Sequence, residues 1–181
     1  DGVELWTPQQ DSDRDSLLEH SGKHQLEFGL LCGAGDTDFK RHLAQFESSL
    51  HKAISLKPLY INCHSGRDWF SFEQNLQFID LTLKLTADSG IPIYHETHRG
   101  RMLFAAHIAR QFMEKMPALR LTLDISHWCN VHESLLADQA ETVRLALERT
   151  DHIHTRVGHA EGPQVNDPRA PEWAESLQRH L

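Results

Sequence analysis

Four short stretches of the chain gather groups that hold metal ions or move protons: His64-Ser65-Gly66-Arg67-Asp68, His95-Glu96-Thr97-His98-Arg99-Gly100-Arg101, Asp124-Ile125-Ser126-His127, and His152 through Glu161. Glu96, Asp124 and His154 form the informative set. Carboxylate oxygens and an imidazole nitrogen are donors that Mn²⁺, Co²⁺, Zn²⁺ or Mg²⁺ accept. Carboxylates taken out of water need a cation or a proton. The residues leave a second solution open, in which Arg67, Arg99, Arg101 and Arg156 neutralise these acids without a metal. His127, three residues beyond Asp124, is expected in a loop. There it binds a metal, orients Asp124, contacts substrate or transfers a proton. Guanidinium forks suit an anionic or polyhydroxylated substrate. Trp69 and Trp128 beside these stretches serve either as an apolar wall for a sugar face or as ordinary packing. Five other histidines (His20, His42, His51, His107 and His180) read as solvated residues on helix surfaces.

The elements that must position these groups follow one pattern, a β-rich run, a polar loop and an amphipathic helix. The strand candidates are residues 3–6, 25–32, 59–63, 91–95, 120–124 and 152–157, mostly about 30 residues apart. Phe39, Leu43, Phe46, Leu50 and Ile54 recur on one helical face. Ser71-Phe72-Glu73-Gln74 reads as a capping box before Leu76, Ile79 and Leu83. Phe112 and Met116 close a third helix before Pro117, and Leu136, Ala140, Val143 and Leu147 mark a fourth. Alternation at this spacing implies βαβ units and a parallel sheet, an α/β fold. Gly33-Ala34-Gly35 lacks the third glycine of a dinucleotide fingerprint, which leaves a (β/α)8 TIM barrel as the favoured architecture. Six of eight βα units are present, so residues 1–181 read as a single barrel domain lacking its first and last strand units. In such a barrel, catalytic groups sit at the C-terminal ends of strands. All four polar stretches fall there. Side chains alternate along a strand, so His152 and His154 share one side, with His154 nearer the rim and His152 in the layer below or supporting a ligand. The prolines from Pro163 to Pro171 predict a long ordered loop, a lid or a dimer contact.

Composition narrows the classes. The formal charge is −8, from 18 Lys+Arg against 26 Asp+Glu, which disfavours nucleic acid and anionic membrane as partners. Cys32, Cys63 and Cys129 stand too far apart for a disulfide framework or a zinc knuckle, and a reducing cytoplasm is the expected location. The first residues include no Met, no basic run and no apolar core, so the expectation is a sequence that begins inside a longer chain.

Glu96 at one strand end, Asp124-x-x-His127 on the next and His152-x-His154 on the third resemble the xylose-isomerase-like TIM-barrel superfamily. That group holds sugar phosphate isomerases and epimerases, ketose 3-epimerases and endonuclease IV. The resemblance implies a divalent-metal-dependent isomerase or epimerase of carbohydrate metabolism, moving a proton next to a carbonyl through an enediolate. One divalent ion (Mn, Co, Zn or Mg) would rest on Glu96, Asp124 and His154, and the family's fourth ligand, a Glu from the eighth strand, has no counterpart in this sequence. Glu96 and His127 would be catalytic. His64, Arg67, His98, Arg101, His127, Arg156 and His159 would bind a small polyhydroxylated or anionic substrate, in a possible homodimer. The alternatives are an endonuclease-IV-like metal-dependent phosphodiester hydrolase and a non-catalytic ligand-binding barrel. The hydrolase pattern expects a histidine where Cys32-Gly33-Ala34-Gly35 stands and an Asp-x-His where His159-Ala160-Glu161 stands.

Overall fold

The computed structural model describes residues 1–180. Six strands follow one another in chain order across a sheet: β1 (Gly2–Trp6), β2 (Glu27–Gly33), β3 (Ile61–His64), β4 (Ile93–Glu96), β5 (Leu121–Leu123) and β6 (Thr150–Ile153). The pairs β1/β2, β2/β3, β4/β5 and β5/β6 are parallel. Helices α1 (Asp11–His24), α2 (Phe39–Ser55), α3 (Phe72–Ser89), α4 (Ala106–Lys115), α5 (Ile125–Val131), α6 (Ala140–Glu148) and α7 (Ala174–His180) complete the chain. Among the described residues no helix is long and apolar enough to cross a membrane.

The chain divides into two compact units. The first holds residues 1–66 and 72–94. Its core joins Leu30 and Cys32 of β2, Ile61 and Cys63 of β3, and the buried stripe Phe46, Leu50 and Ala53 of α2. Phe78 of α3 collects the rings of Phe39, His42 and Phe46, with centroids 6.2, 5.5 and 5.3 Å away, all near edge-on. Helix α2 starts because the Asp38 side chain accepts the Arg41 N–H, an N-cap. His42 is fully buried here, against the expectation of a solvated residue. Its Nδ1 lies 2.7 Å from the Asp36 carbonyl, and Phe78 covers its ring, so its place on the inner face of α2 overrides its polarity.

The second unit holds residues 67–71 and 95–181. Phe112 and Met113 of α4, Leu121 and Leu123 of β5, and Trp128 of α5 form its buried centre. Full burial of side chains of this size contributes about 1.5–3 kcal/mol each. Trp128 therefore packs as core and forms no exposed sugar wall; its Nε1–H donates to the Leu103 carbonyl at 2.8 Å.

Several boundaries differ from the sequence reading. The 25–32 run begins later, at Glu27, because Gln25 takes φ 52° to end α1. Helix α1 carries no recurring apolar stripe and buries only Leu17 and Ser21, which is why periodicity missed it. The last strand runs from Thr150 to Ile153, earlier than 152–157, with a register irregularity at Leu121/Thr122 of β5. Leu136 stands outside α6 at φ 60°.

Candidate active site

Glu96 is the last residue of β4, Asp124 follows β5 directly, and His154 follows β6 directly. Parallel pairing sets their level: the Thr97 N–H donates to the Thr122 carbonyl at 3.1 Å, and the His154 N–H to the Leu123 carbonyl at 3.1 Å. A reciprocal pair locks the first two strand ends together. The Asp124 N–H donates to Thr97 Oγ1 at 2.8 Å, while Thr97 Oγ1–H donates to the Asp124 carbonyl at 3.0 Å. Both acids are buried, and one ligand atom from each of Glu96, Asp124 and His154 lies within 4.8 Å of the other two. His154 Nδ1 stands 3.7 Å from Glu96 Oε1 and 3.9 Å from Asp124 Oδ2.

His127 lies in the first turn of α5, not in a loop as expected, since the chain turns into a helix immediately after Asp124. That turn brings His127 Nε2 to 3.7 Å from Asp124 Oδ2 and 4.0 Å from Glu96 Oε1. Ser126 Oγ–H donates to Asp124 Oδ1. Arg156 Nη2 donates to Asp124 Oδ2 and lies 2.6 Å from His127 Nε2. A guanidinium only donates, so His127 Nε2 accepts and its proton sits on Nδ1. That Nδ1 is buried without a hydrogen-bond partner. The His98 ring is tilted against the His127 ring at 3.9 Å between centroids.

Burial sets the electrostatics. It pushes the Asp124 carboxyl above its ordinary value, while the Ser126 hydroxyl and the Arg156 guanidinium pull it back. Burial, then the neighbouring His98 and Arg156, pushes His127 down to about 3, and burial alone does the same to His95. Both imidazoles are therefore neutral at pH 7. Arg101 is lowered by burial and then by Arg67, with Glu96 and Asp68 working against that shift.

The remaining sequence-derived candidates fall in different places. Arg67 stacks over Trp69, its guanidinium carbon 5.2 Å from the ring centroid, and Trp69 is 59% exposed. Arg99 is exposed and donates to Asn130 Oδ1 at 3.2 Å, so it is no counter-charge to the buried acids. His152 stands edge-on to His154 at 5.2 Å. His159 sits in a tight turn closed by its N–H to the Gly162 carbonyl at 2.8 Å, its ring on Trp173 at 4.6 Å. His64 ends β3 in the first unit, edge-on to Trp6 at 5.1 Å. Thr97 and Ser126 were not anticipated; the Asp-x-Ser spacing at 124–126 is a local side-chain bonding signal that would have found one of them.

Gly158 explains how the loop bearing Arg156 reaches α5. A Cβ there would lie 2.7 Å from Ser126 Cβ and 2.8 Å from its Cα, so only glycine lets the backbones approach. His180 of α7 holds the same point, accepting the Gly158 N–H at Nε2 at 3.2 Å, and is half-buried where a solvated residue was expected.

A scan of protein-family models and a search of curated proteins each found no match. Solved structures do match. A D-tagatose 3-epimerase-like protein superposes with TM-score 0.71 at 15% identity, covering 97% of this chain and 77% of its own. A 3-keto-D-glucoside 4-epimerase from E. coli gives 0.65 at 13%, over 99% and 78%. An AP endonuclease of family 2 from Brucella melitensis gives 0.61 at 18%, over 97% and 78%. The fold is thus shared with these proteins, a TIM-barrel fold with six consecutive βα units in this chain.

Proposed function

We propose that the chain carries a divalent-metal site on Glu96, Asp124 and His154 and acts on a small sugar or sugar phosphate as an isomerase or epimerase. The observation that carries this reading is the convergence of two buried carboxylates and an imidazole within 4.8 Å. The donor set fits: two hard oxygens and one borderline nitrogen suit Mn²⁺, Co²⁺, Zn²⁺ or Mg²⁺, and a cation offsets the cost of burying the acids. When bound, such an ion supplies Lewis-acid polarisation of a carbonyl and its neighbouring hydroxyl.

The chain's own groups do the rest. Glu96, at the end of β4, removes the proton next to the carbonyl. Neutral His127 holds a substrate hydroxyl through Nε2, the ring nitrogen that faces Glu96 and Asp124. Thr97 and Ser126 fix Asp124 from two sides. The D-tagatose 3-epimerase-like and 3-keto-D-glucoside 4-epimerase neighbours support this class of reaction. The AP endonuclease neighbour keeps a phosphodiester hydrolase as the competing reading, which the −8 charge and the His159-Ala160-Glu161 sequence disfavour.

The test is solvent deuterium exchange into a panel of ketoses, aldoses and their phosphates with added Mn²⁺, followed by NMR. Glu96→Gln should lower exchange by about 10²–10⁴-fold with the fold intact. Exchange unchanged in that variant would remove Glu96 from the reaction.

A further inference from the structure

We infer that Arg156 is the site's built-in counter-cation, competing with a divalent ion for Asp124 Oδ2, so that ion binding releases the guanidinium. This inference rests on the metal reading above and concerns how the same site is loaded.

Asp124 is wholly buried, and both of its carboxylate oxygens are engaged: Oδ1 by Ser126 and Oδ2 by Arg156. Oδ2 is also the oxygen nearest the other donors, 3.9 Å from His154 Nδ1 and 3.7 Å from His127 Nε2. The guanidinium therefore sits on the oxygen that an ion shared with His154 would take. A buried carboxylate without any cation is costly, and Arg156 removes that cost in the ion-free protein. A divalent ion on the same oxygen places three positive charges at one point, where like-charge repulsion in a dry site is strong. One of the two cations must yield.

Arg156 is placed to be the one. Its side chain is 32% exposed, whereas those of Asp124 and Glu96 are 0% and 2% exposed. It belongs to the irregular segment after β6, two residues beyond His154, with no strand or helix from His154 to Gly158. It also bridges to His127 Nε2 at 2.6 Å, so its departure frees that acceptor as well. One ion thus exposes a guanidinium and an imidazole nitrogen together, the two groups suited to anionic and hydroxyl substituents of a substrate.

The test is Mn²⁺ affinity at fixed pH, by calorimetry and by electron paramagnetic resonance of free Mn²⁺, on the intact chain. Arg156→Gln is expected to bind Mn²⁺ at least about ten-fold more tightly than the wild type. Arg156→Lys, which keeps the charge but loses the fork, should gain less; it carries the test alone if the glutamine variant does not fold. Asp124→Asn should lose binding. Equal affinity in wild type and both Arg156 variants, or weaker binding in the variants, overturns the competition while leaving the metal site standing. No Mn²⁺ binding by any of these proteins overturns the metal reading itself.

Discussion

At the residue scale, the candidate site was legible where one side chain announces its own chemistry and dark where a role depends on a neighbour. Glu96, Asp124 and His154 could be placed because each stands at the end of a β-rich run, and parallel strands bring such ends to one rim. Arg156 could be read as one of four candidate counter-charges to the acids, but its particular pairing with Asp124 spans 32 residues and no spacing marks it. Thr97 shows what a quiet residue contributes. Its hydroxyl satisfies both the N–H and the carbonyl of Asp124, and the residue is fully buried. Thr97→Val keeps the shape and strips both bonds, leaving two buried backbone groups unpaired. The expected loss is about 1–3 kcal/mol, or more if both groups stay dry, read as a lower urea midpoint at unchanged slope. A midpoint equal to the wild type would show that Asp124 is held by other means.

At the element scale, long helices with clear stripes were readable and short or polar ones were not. Helix α2 shows Phe46, Leu50 and Ala53 at helical spacing, whereas the seven residues of α5 are too few to display a period and were read as loop. Helix α4 reveals another hidden dependence. Its N-cap residue, Ala105, has no capping side chain, and the Ala106 N–H instead donates to His132 Nε2 at 3.0 Å, across from the end of α5. Only neutral imidazole can accept that bond. Burial, with His107 next, lowers the His132 pKa below its ordinary 6.5. A depressed folded pKa means the contribution is present above pH 6.5 and fades as pH falls through the lower folded value. His132→Ala should therefore cost about 1 kcal/mol near pH 7.5, in the range of a lost cap, and distinctly less near pH 5, compared by chemical denaturation. A cost independent of pH would mean that His132 acts by packing alone.

At the scale of the whole molecule, the sheet order was readable because six β-rich runs recur at intervals near 30 residues, the spacing of βαβ units. The division into two compact units was not, since no linker composition marks it and the polypeptide crosses between the units at Gly66/Arg67, Ser71/Phe72 and Tyr94/His95. That division bears on ion binding. Glu96, Asp124 and His154 all belong to the unit of residues 67–71 and 95–181. An ion that binds only the folded form stabilises it by mass action, about 2.7 kcal/mol at a hundred times its dissociation constant. For a chain of this length each kcal/mol moves the unfolding temperature by about 2–4 °C. Saturating Mn²⁺ should accordingly raise the melting temperature of the wild type by roughly 5–10 °C. If calorimetry resolves two transitions, the shift should fall on one of them. Asp124→Asn should show no shift at the same concentration, because the shared oxygen is gone. A shift of equal size in wild type and Asp124→Asn would place the ion somewhere else on this acidic chain and leave the three strand ends to arginine.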